Sequence, residues 1–244
     1  MKISFVIPAF NEEKYLGNCL DSIIAATKDK NIEMEIIVVN NASTDGTRAV
    51  AESKPGVRIV DEPQKGLSRA RQSGFAVSTG ELVANLDADT MLPAAWINFV
   101  IRDFDRNQKL VGLSGPHILY GVPRLVSYWA TIFYYAGYLT YFMNRHILNI
   151  TSVLQGGNFV VRRSALEKIG GFNPEFTFYG EDADLVKRLH KVGQVNFTLS
   201  LPILASGRRV MAEGKFTMAW RYFMNYAWTT FFGRPFNSTS RDIR

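Results

Sequence analysis

The first ninety residues alternate between strand-like and helix-like runs with a regularity that few architectures can absorb. "ISFVIPAF" (3–10) is a short β-rich run, and "EEKYLGNCLDSIIAAT" (12–27) follows with Tyr15, Leu16, Cys19, Leu20, Ile23 and Ile24 at helical spacing. "MEIIVVN" (34–40) has the character of a second, buried strand. "NASTDGTRAVAES" (41–53) opens with Ser, Thr and Asp capping chemistry and runs on as a helix. "GVRIVDE" (56–62), "GLSRARQSGFAVSTG" (66–80) and "ELVANLD" (81–87) repeat strand, helix and strand. This order predicts an α/β fold with a mostly parallel central sheet covered by helices on both faces. Ligands of such sheets bind beyond the carboxyl ends of the strands. The polar clusters Pro8–Glu12, Asn40–Asp45 and Asp87–Asp89 fall there.

Composition narrows the setting. A chain of 244 residues suits one larger domain, and 47% hydrophobic with 20% charged residues is globular. The 28 Lys and Arg against 22 Asp and Glu give a net charge of +6, which favours anionic partners. Nucleic acid is a poor candidate, because there is no basic run and the arginines are dispersed among apolar helices. Cys19 is the only cysteine, so an intrachain disulfide or a cysteine-rich zinc cluster is excluded. The apolar run in "MKISFVIPAFNEE" is too short for a signal sequence, and a reducing, cytoplasmic location is expected.

"NLDADT" (85–90) sets two carboxylates, Asp87 and Asp89, at the end of an apolar strand. Alternate residues of a strand project to one side, so the two can converge on a ligand. Hard cations such as Mg²⁺ and Mn²⁺ are held by one or two carboxylates together with substrate phosphates. The other reading is a turn, or a cap for the helix near "LPAAWINFV".

Five segments in order, "FVIPAFNEEKYLGNCLDSI", "EIIVVNNASTDGT", "KGLSRARQSGFAVSTGELVANLDADT", "GGNFVVRRSALEKIGGFNPEF" and "GEDADLVKRLHKVG", resemble family 2 glycosyltransferases. The resemblance implies a GT-A fold with a Rossmann-like sheet, a nucleotide-diphosphate-sugar donor, a divalent metal, and transfer with inversion. It implies Asp89 as metal ligand, and Asp87 on the ribose or sharing the metal through water. It implies Asp182 of "GEDADL" as general base, with Glu181 second; a helix N-terminus there favours the ionised carboxylate. Ordinary first-turn helix acids are the competing reading. Pro8, Ala9 and Phe10 match the loop along the nucleobase, Glu12 a nucleoside contact or a helix start, and Arg71 an arginine near the nucleotide. Asn41 stands where many relatives have an Asp that meets the uracil ring, and its carbonyl can accept there too. Asp45 is expected to be structural. Gly156 and Gly157 allow a close backbone approach on the acceptor side, where Asn158 can hold a sugar hydroxyl; a tight turn is the alternative.

His117, His146 and His190 do not form a metal set, and where many relatives have a metal-binding His this chain has "ASGRRVMAEG". Arg208 and Arg209 there can clamp a diphosphate or form a solvated loop. Two aromatic stretches complete the chain. In 125–144 Leu125, Trp129, Ile132, Ala136, Leu139 and Met143 share one helical face, with Ser127, Thr131, Tyr134, Tyr138 and Tyr141 on another. In 215–236 Phe216, Trp220, Phe223, Ala227 and Phe231 lie opposite Arg221 and Asn225. Both suit helices lying in a membrane surface with tyrosines at headgroup level, or helices covering the sheet or a partner. The expectation is one domain over 1–244. Its donor half is 1–116, its acceptor and catalytic half 117–212 with an amphipathic insertion at 123–146, and its C-terminal helix and tail 213–244. The expected function is sugar transfer at the cytoplasmic membrane face to a lipid-linked or cell-envelope glycan precursor. A sugar-phosphate nucleotidyltransferase and a non-catalytic membrane-associated scaffold are the alternatives.

Overall fold

The computed structural model describes residues 1–28, 30–142, 152–176, 179–232, 234 and 236–237. Its first half is the expected alternation: β1 (Lys2–Ala9), α1 (Leu16–Thr27), β2 (Glu33–Asn40), α2 (Thr47–Glu52), β3 (Val57–Asp61), α3 (Leu67–Val77) and β4 (Leu82–Leu86). β3, β2, β1 and β4 lie side by side and parallel. Next come β5 (Thr90–Met91), α4 (Trp96–Arg106), β6 (Leu110–Ser114), β7 (His117–Tyr120) and α5 (Arg124–Phe142). The chain closes with β8 (Asn158–Arg162), α6 (Arg163–Lys168), α7 (Glu181–Leu189), β9 (Gln194–Phe197), β10 (Ile203–Ser206), α8 (Arg208–Glu213) and α9 (Lys215–Phe232). The main sheet has the order β3-β2-β1-β4-β8-β6-β9, and β8 runs antiparallel to both its neighbours.

Alternation along β1 explains why both faces are covered. Ile3, Phe5 and Ile7 meet Leu16, Leu20 and Ile23 of α1 and Trp96 and Phe104 of α4. Val6, on the other face, joins Ala70 and Phe75 of α3 and Leu185 and Leu189 of α7. The helix expected after the capping residues of 41–53 is Thr47–Glu52, and the side chains of Ser43 and Thr47 bond across to the loop after β1.

A second, three-stranded sheet, β5-β10-β7, stands at the end of the first. It pairs β10 with β5 through Leu204–Met91 and Ala205–Thr90. That pairing carries the start of α8 to the turn that follows β4.

The two aromatic helices lie on the outside. In α5 the apolar side faces outward, with Leu125 65% and Trp129 52% exposed. Tyr134, Tyr138 and Tyr141 face inward. Tyr134 packs on His117, and the other two rings pack on each other and on Phe197. These three tyrosines cover the protein, which corrects their expected place at headgroup level; Tyr128 and Tyr135 are the exposed ones. In α9 Phe216 and Trp220 are 80% and 65% exposed, while Asn225 is buried and Arg221 pairs with Glu213 at 2.7 Å. The side chains of Ala136, Phe223, Ala227 and Phe231, and residues Met143, Asn144, Arg145 and His146, lie outside the described ones. Among the described residues no helix is long and apolar enough to cross a membrane.

The contact of α3 with β1 gives a test. A Cβ on Gly74 would fall on Val6 and come within 3.1 Å of Val39. Alanine gains about 1 kcal/mol of helix propensity. Overpacking against β-branched strand residues costs about 1–3 kcal/mol. Gly74→Ala is therefore expected to lower the unfolding free energy by about 1 kcal/mol, overpacking outweighing propensity. Urea denaturation measures it, and a stabilised variant would show that the helix can move off the sheet.

Candidate active site

β1 and β4 are adjacent although β2 and β3 lie between them in sequence. The crevice at their carboxyl ends is the point where the strand order reverses. Two loops open there. In the first, Asn11 takes a positive φ of 53° and its N–H donates to Ser43 Oγ at 3.1 Å. Thr44 N–H donates to Asn11 Oδ1 at 2.8 Å, and Glu12 N–H to Thr47 Oγ1 at 2.7 Å. Asp45 accepts from the Thr47 hydroxyl and from Glu13 N–H, the structural role expected of it.

The second loop is a turn. β4 ends at Leu86, and Thr90 N–H returns to Asp87 O at 3.1 Å. Asp87 and Asp89 therefore belong to a turn rather than to an extended strand, which corrects the expected alternation. Each meets its own arginine.

Arg71 of α3 is wholly buried. Its Nη2 donates to Asp87 Oδ1 at 3.2 Å, and its Nη1 pairs with Glu181 Oε1. Glu181, itself buried, opens α7 after Gly180 at a positive φ of 82°. Asp182 follows, half-buried, with Oδ1 accepting Ala183 N–H at 2.9 Å. Burial pushes the Asp182 carboxyl above the ordinary range, and nearby N–H groups and the Arg71 charge only partly oppose it. Desolvation thus outweighs the helix terminus that was expected to keep this acid ionised. The Gly156–Gly157 backbone fills the space between the acids. A Cβ on Gly156 would stand 3.8 Å from Asp182 Oδ2 and Glu181 Oε1, and one on Gly157, whose φ is +76°, would fall on the Asp87 carboxylate.

Arg208 is brought in by the small sheet. Ser206 N–H and Tyr120 OH both donate to Asp89 O at 3.1 Å. Arg208 Nη2 then reaches Glu12 Oε1 at 2.5 Å and Asp89 Oδ2 at 3.0 Å, with its guanidinium 4.6 Å over the Tyr15 ring. Burial lowers the proton affinity of Arg208, but the Glu12 and Asp89 carboxylates outweigh it and leave the net shift upward.

A family model described as "Glycosyl transferase family 2" matches residues 4–170. The chain belongs to this family. A second model, "N-terminal domain of galactosyltransferase", matches residues 144–211. Among curated proteins the chain is similar to the probable glycosyltransferase YdaM of Bacillus subtilis, at 28% identity over 79% of this chain and 47% of that protein. It is similar to the glycosyltransferase AglE of Haloferax volcanii, at 25% over 78% and 62%. The chain thus spans less than two thirds of either relative. Among solved structures, the mannosyltransferase PcManGT of Pyrobaculum calidifontis, in complex with GDP-Man and Mn²⁺, shares the fold. Its TM-score is 0.65 at 21% identity, over 94% of this chain and 62% of that one. S. aureus TarS 1–349 in complex with UDP-GlcNAc does so at TM-score 0.64 and 18% identity, over 90% and 61%. The protein is a family 2 glycosyltransferase with the GT-A fold.

Several residues in this transferase sit differently from expectation. Asn41 is buried, with Nδ2 donating to Glu62 O and Gln64 O and Oδ1 accepting Gly66 N–H. It ties the loop after β2 to the loop between β3 and α3, and its amide is committed there. Asn158 is equally committed: Oδ1 accepts from Trp96 Nε1 at 3.0 Å, and Nδ2 donates to Leu201 O and Pro116 O. A sugar hydroxyl has no access to it. Pro8 and Ala9 end β1 instead of forming a loop, and the Ala9 side chain lies in the core. Phe10 is half-buried with Lys65 Nζ 3.7 Å over its ring. Arg209 turns to Glu213 at 3.0 Å, so Arg208 and Arg209 are not a matched clamp. His117 is half-buried, and desolvation of its ring pulls it down to about 4; His190 caps the end of α7, and His146 lies outside the described residues. The Cys19 thiol, buried beside Asp89 and Asp87, is pushed up to about 12 and stays protonated. Tyr15 and Tyr120 were not anticipated. Tyr15 had one signal, its i,i+3 spacing from Glu12 at a helix start.

The donor set fits a divalent ion of the Mg²⁺ or Mn²⁺ kind. Among the described residues no three His, Cys, Asp or Glu side chains form a metal cluster. A pair of carboxylates completed by substrate oxygens is the habit of these hard ions. A cationic group, the Arg208 guanidinium, already stands on Asp89.

Arg71 makes a stability prediction. Removing one partner of a buried ion pair strands the other charge, at a cost of about 3–5 kcal/mol. Arg71→Met is expected to lose that much in urea denaturation, whereas Arg48→Met, at the exposed pairs with Glu52 and Asp61, loses far less. Equal small losses would show that Arg71 is not the tie.

Proposed function

We propose that this transferase moves a sugar from a nucleoside-diphosphate sugar to an acceptor hydroxyl with inversion, using Mg²⁺ or Mn²⁺ at Asp89 and Asp87. One observation carries the reading: Arg71 joins Asp87, at the donor end of β4, to Glu181, the neighbour of Asp182. A donor-side acid and a proton acceptor are thereby held in one rigid unit, and positioning of this kind is a large part of group-transfer catalysis. The nucleotide sugars bound by TarS and PcManGT, and the Mn²⁺ of the latter, support the donor class and the metal.

In this reading the donor lies along Pro8–Glu12, with Phe10 beside the base, and is served by residues 1–116. Residues 117–212 form the acceptor side, where Gly157 borders the site and the insertion at 123–146 carries α5. The segment 213–244 adds α9 and the tail. The acceptor hydroxyl approaches the anomeric carbon opposite the diphosphate, and Asp182 takes its proton as the new C–O bond forms. The bond to the diphosphate breaks with its electrons on the phosphate oxygens, where Arg208 meets the developing charge. A bound divalent ion supplies Lewis-acid stabilisation of the same oxygens.

The test separates binding from chemistry. Asp89→Asn is expected to abolish metal-dependent donor binding. Asp182→Asn keeps donor affinity and lowers turnover at least ~10²-fold, the scale of general acid–base catalysis. Turnover by the native enzyme rises with pH as Asp182 ionises. Burial raises that carboxyl, so the acid limb is expected above the ordinary aspartate value of about 3.9. Screening sugar nucleotides for binding and slow hydrolysis supplies the assay. Equal donor binding in Mg²⁺, Mn²⁺ and chelator, or near-normal turnover of Asp182→Asn, would sink the assignment.

We place the enzyme peripherally on the cytoplasmic membrane face, acting on a lipid-linked or cell-envelope glycan precursor. The outward apolar sides of α5 and α9 and the exposed Arg124 and Arg234 support this. The protein is expected to float with anionic vesicles, to be partly released by salt, and to lose binding when Trp129 and Trp220 become Ser. Both indoles are exposed, so the substitutions should leave the fold intact. Indifference to vesicles would exclude the bilayer.

A further inference from the structure

Arg208 stands on the carboxylate that the proposed function gives to the metal. Its Nη2 is shared between Glu12 Oε1 at 2.5 Å and Asp89 Oδ2 at 3.0 Å. The Glu12 and Arg208 side chains are only 4% and 18% exposed, and Tyr15 backs the guanidinium. Glu12 reaches this position from the loop laced to Thr47, and Arg208 from the start of α8, so the contact joins two loops remote in sequence. The group is not a loose surface charge, and removing it from Asp89 means replacing one cation by another.

We propose that Arg208 is the resident counter-cation of Asp89, docked by Glu12, and that it leaves Asp89 when a divalent ion and a diphosphate enter together. The inference rests on Asp89 as the metal ligand. Without nucleotide, a metal ion approaching Asp89 meets a guanidinium a few ångströms away, and their repulsion opposes binding. A diphosphate offers the guanidinium two anionic groups in a geometry it recognises bidentately. Transfer of Arg208 from the carboxylates to the phosphates frees Asp89 and brings the arginine to where negative charge develops. Glu12 is then a positioning residue that acts through Arg208, in place of the nucleoside contact first expected of it. By linkage the coupling is reciprocal, so the metal strengthens nucleotide binding by the same factor as the nucleotide strengthens metal binding.

The experiment titrates Mn²⁺ into the full chain and follows free Mn²⁺ by electron paramagnetic resonance, alone and with UDP or GDP. Native protein is expected to bind Mn²⁺ weakly alone and at least ~10-fold more tightly with a diphosphate. Arg208→Met and Arg208→Gln are expected to bind Mn²⁺ alone at least ~10-fold more tightly than native protein, because a full charge a few ångströms from the ion has been removed. Arg208→Lys, which keeps the charge, should stay within about threefold of native, a difference under 1 kcal/mol. Thermal melting shows whether each variant is folded, and the two neutral variants guard against one that is not. Donor-free Mn²⁺ affinity equal in native, Met and Gln proteins would overturn the proposal. If native protein and Asp89→Asn bind Mn²⁺ alike even with UDP or GDP, the metal assignment has failed instead.

Discussion

A guanidinium with no solvent exposure depends on its anions. Arg71 sits beneath the sheet's carboxyl edge, and burial pulls its proton affinity down against the opposing pull of Asp87 and Asp182. Desolvation of that size is offset only if carboxylates stay within hydrogen-bonding reach. The turn after β4 and the start of α7 are therefore fixed relative to α3. Nearby glycines follow from the same constraint. Gly157 leaves room for the Asp87 carboxylate, and Gly180 turns the chain so that Glu181 can enter.

Arg208 makes the opposite kind of contact. It also bridges two acids, but from the edge of the crevice, on a six-residue helix, with its side chain partly exposed. One arginine is a fixed part of the frame, and under the proposed reading the other exchanges its partners. The inverting transfer proposed above would use both properties. The proton acceptor and the donor must be held rigidly against each other, while the charge on the leaving group must be met as it appears.

The parallel half of the fold was legible because buried strands and amphipathic helices have different periods, and β1 to β4 show both without interruption. The small sheet was not, since β5 has two residues and β7 and β10 have four each. Segments so short carry no readable period, and β10 pairs with β5 and β7 from far along the chain. At the site, the motifs indicated which acids gather, but not what each polar group touches. Asn41 and Asn158 look like ligand contacts in sequence, yet both amides are consumed by backbone and Trp96. An amide serves a sugar or a buried carbonyl equally well, and only the tertiary neighbours decide between them. The upward shift of the Asp182 carboxyl escaped the sequence for a related reason. A helix start is visible in sequence, whereas the desolvation that outweighs it is not.

Helix α9 ties the periphery to this frame. Its buried face holds Thr229 against Gly180, where a Cβ would collide with the Thr229 hydroxyl, and Tyr222 lies edge-on to Tyr179. Phe216 and Trp220 stand on the opposite, outward face. One helix therefore touches the residue before Glu181 and Asp182 with one side and the surroundings with the other. Under the membrane reading, lipid contact would bear on the backbone that sets Glu181 and Asp182. Packed interfaces shift between discrete arrangements and do not deform freely. An acceptor presented at the bilayer would then meet the proton acceptor from a helix already seated on the same surface.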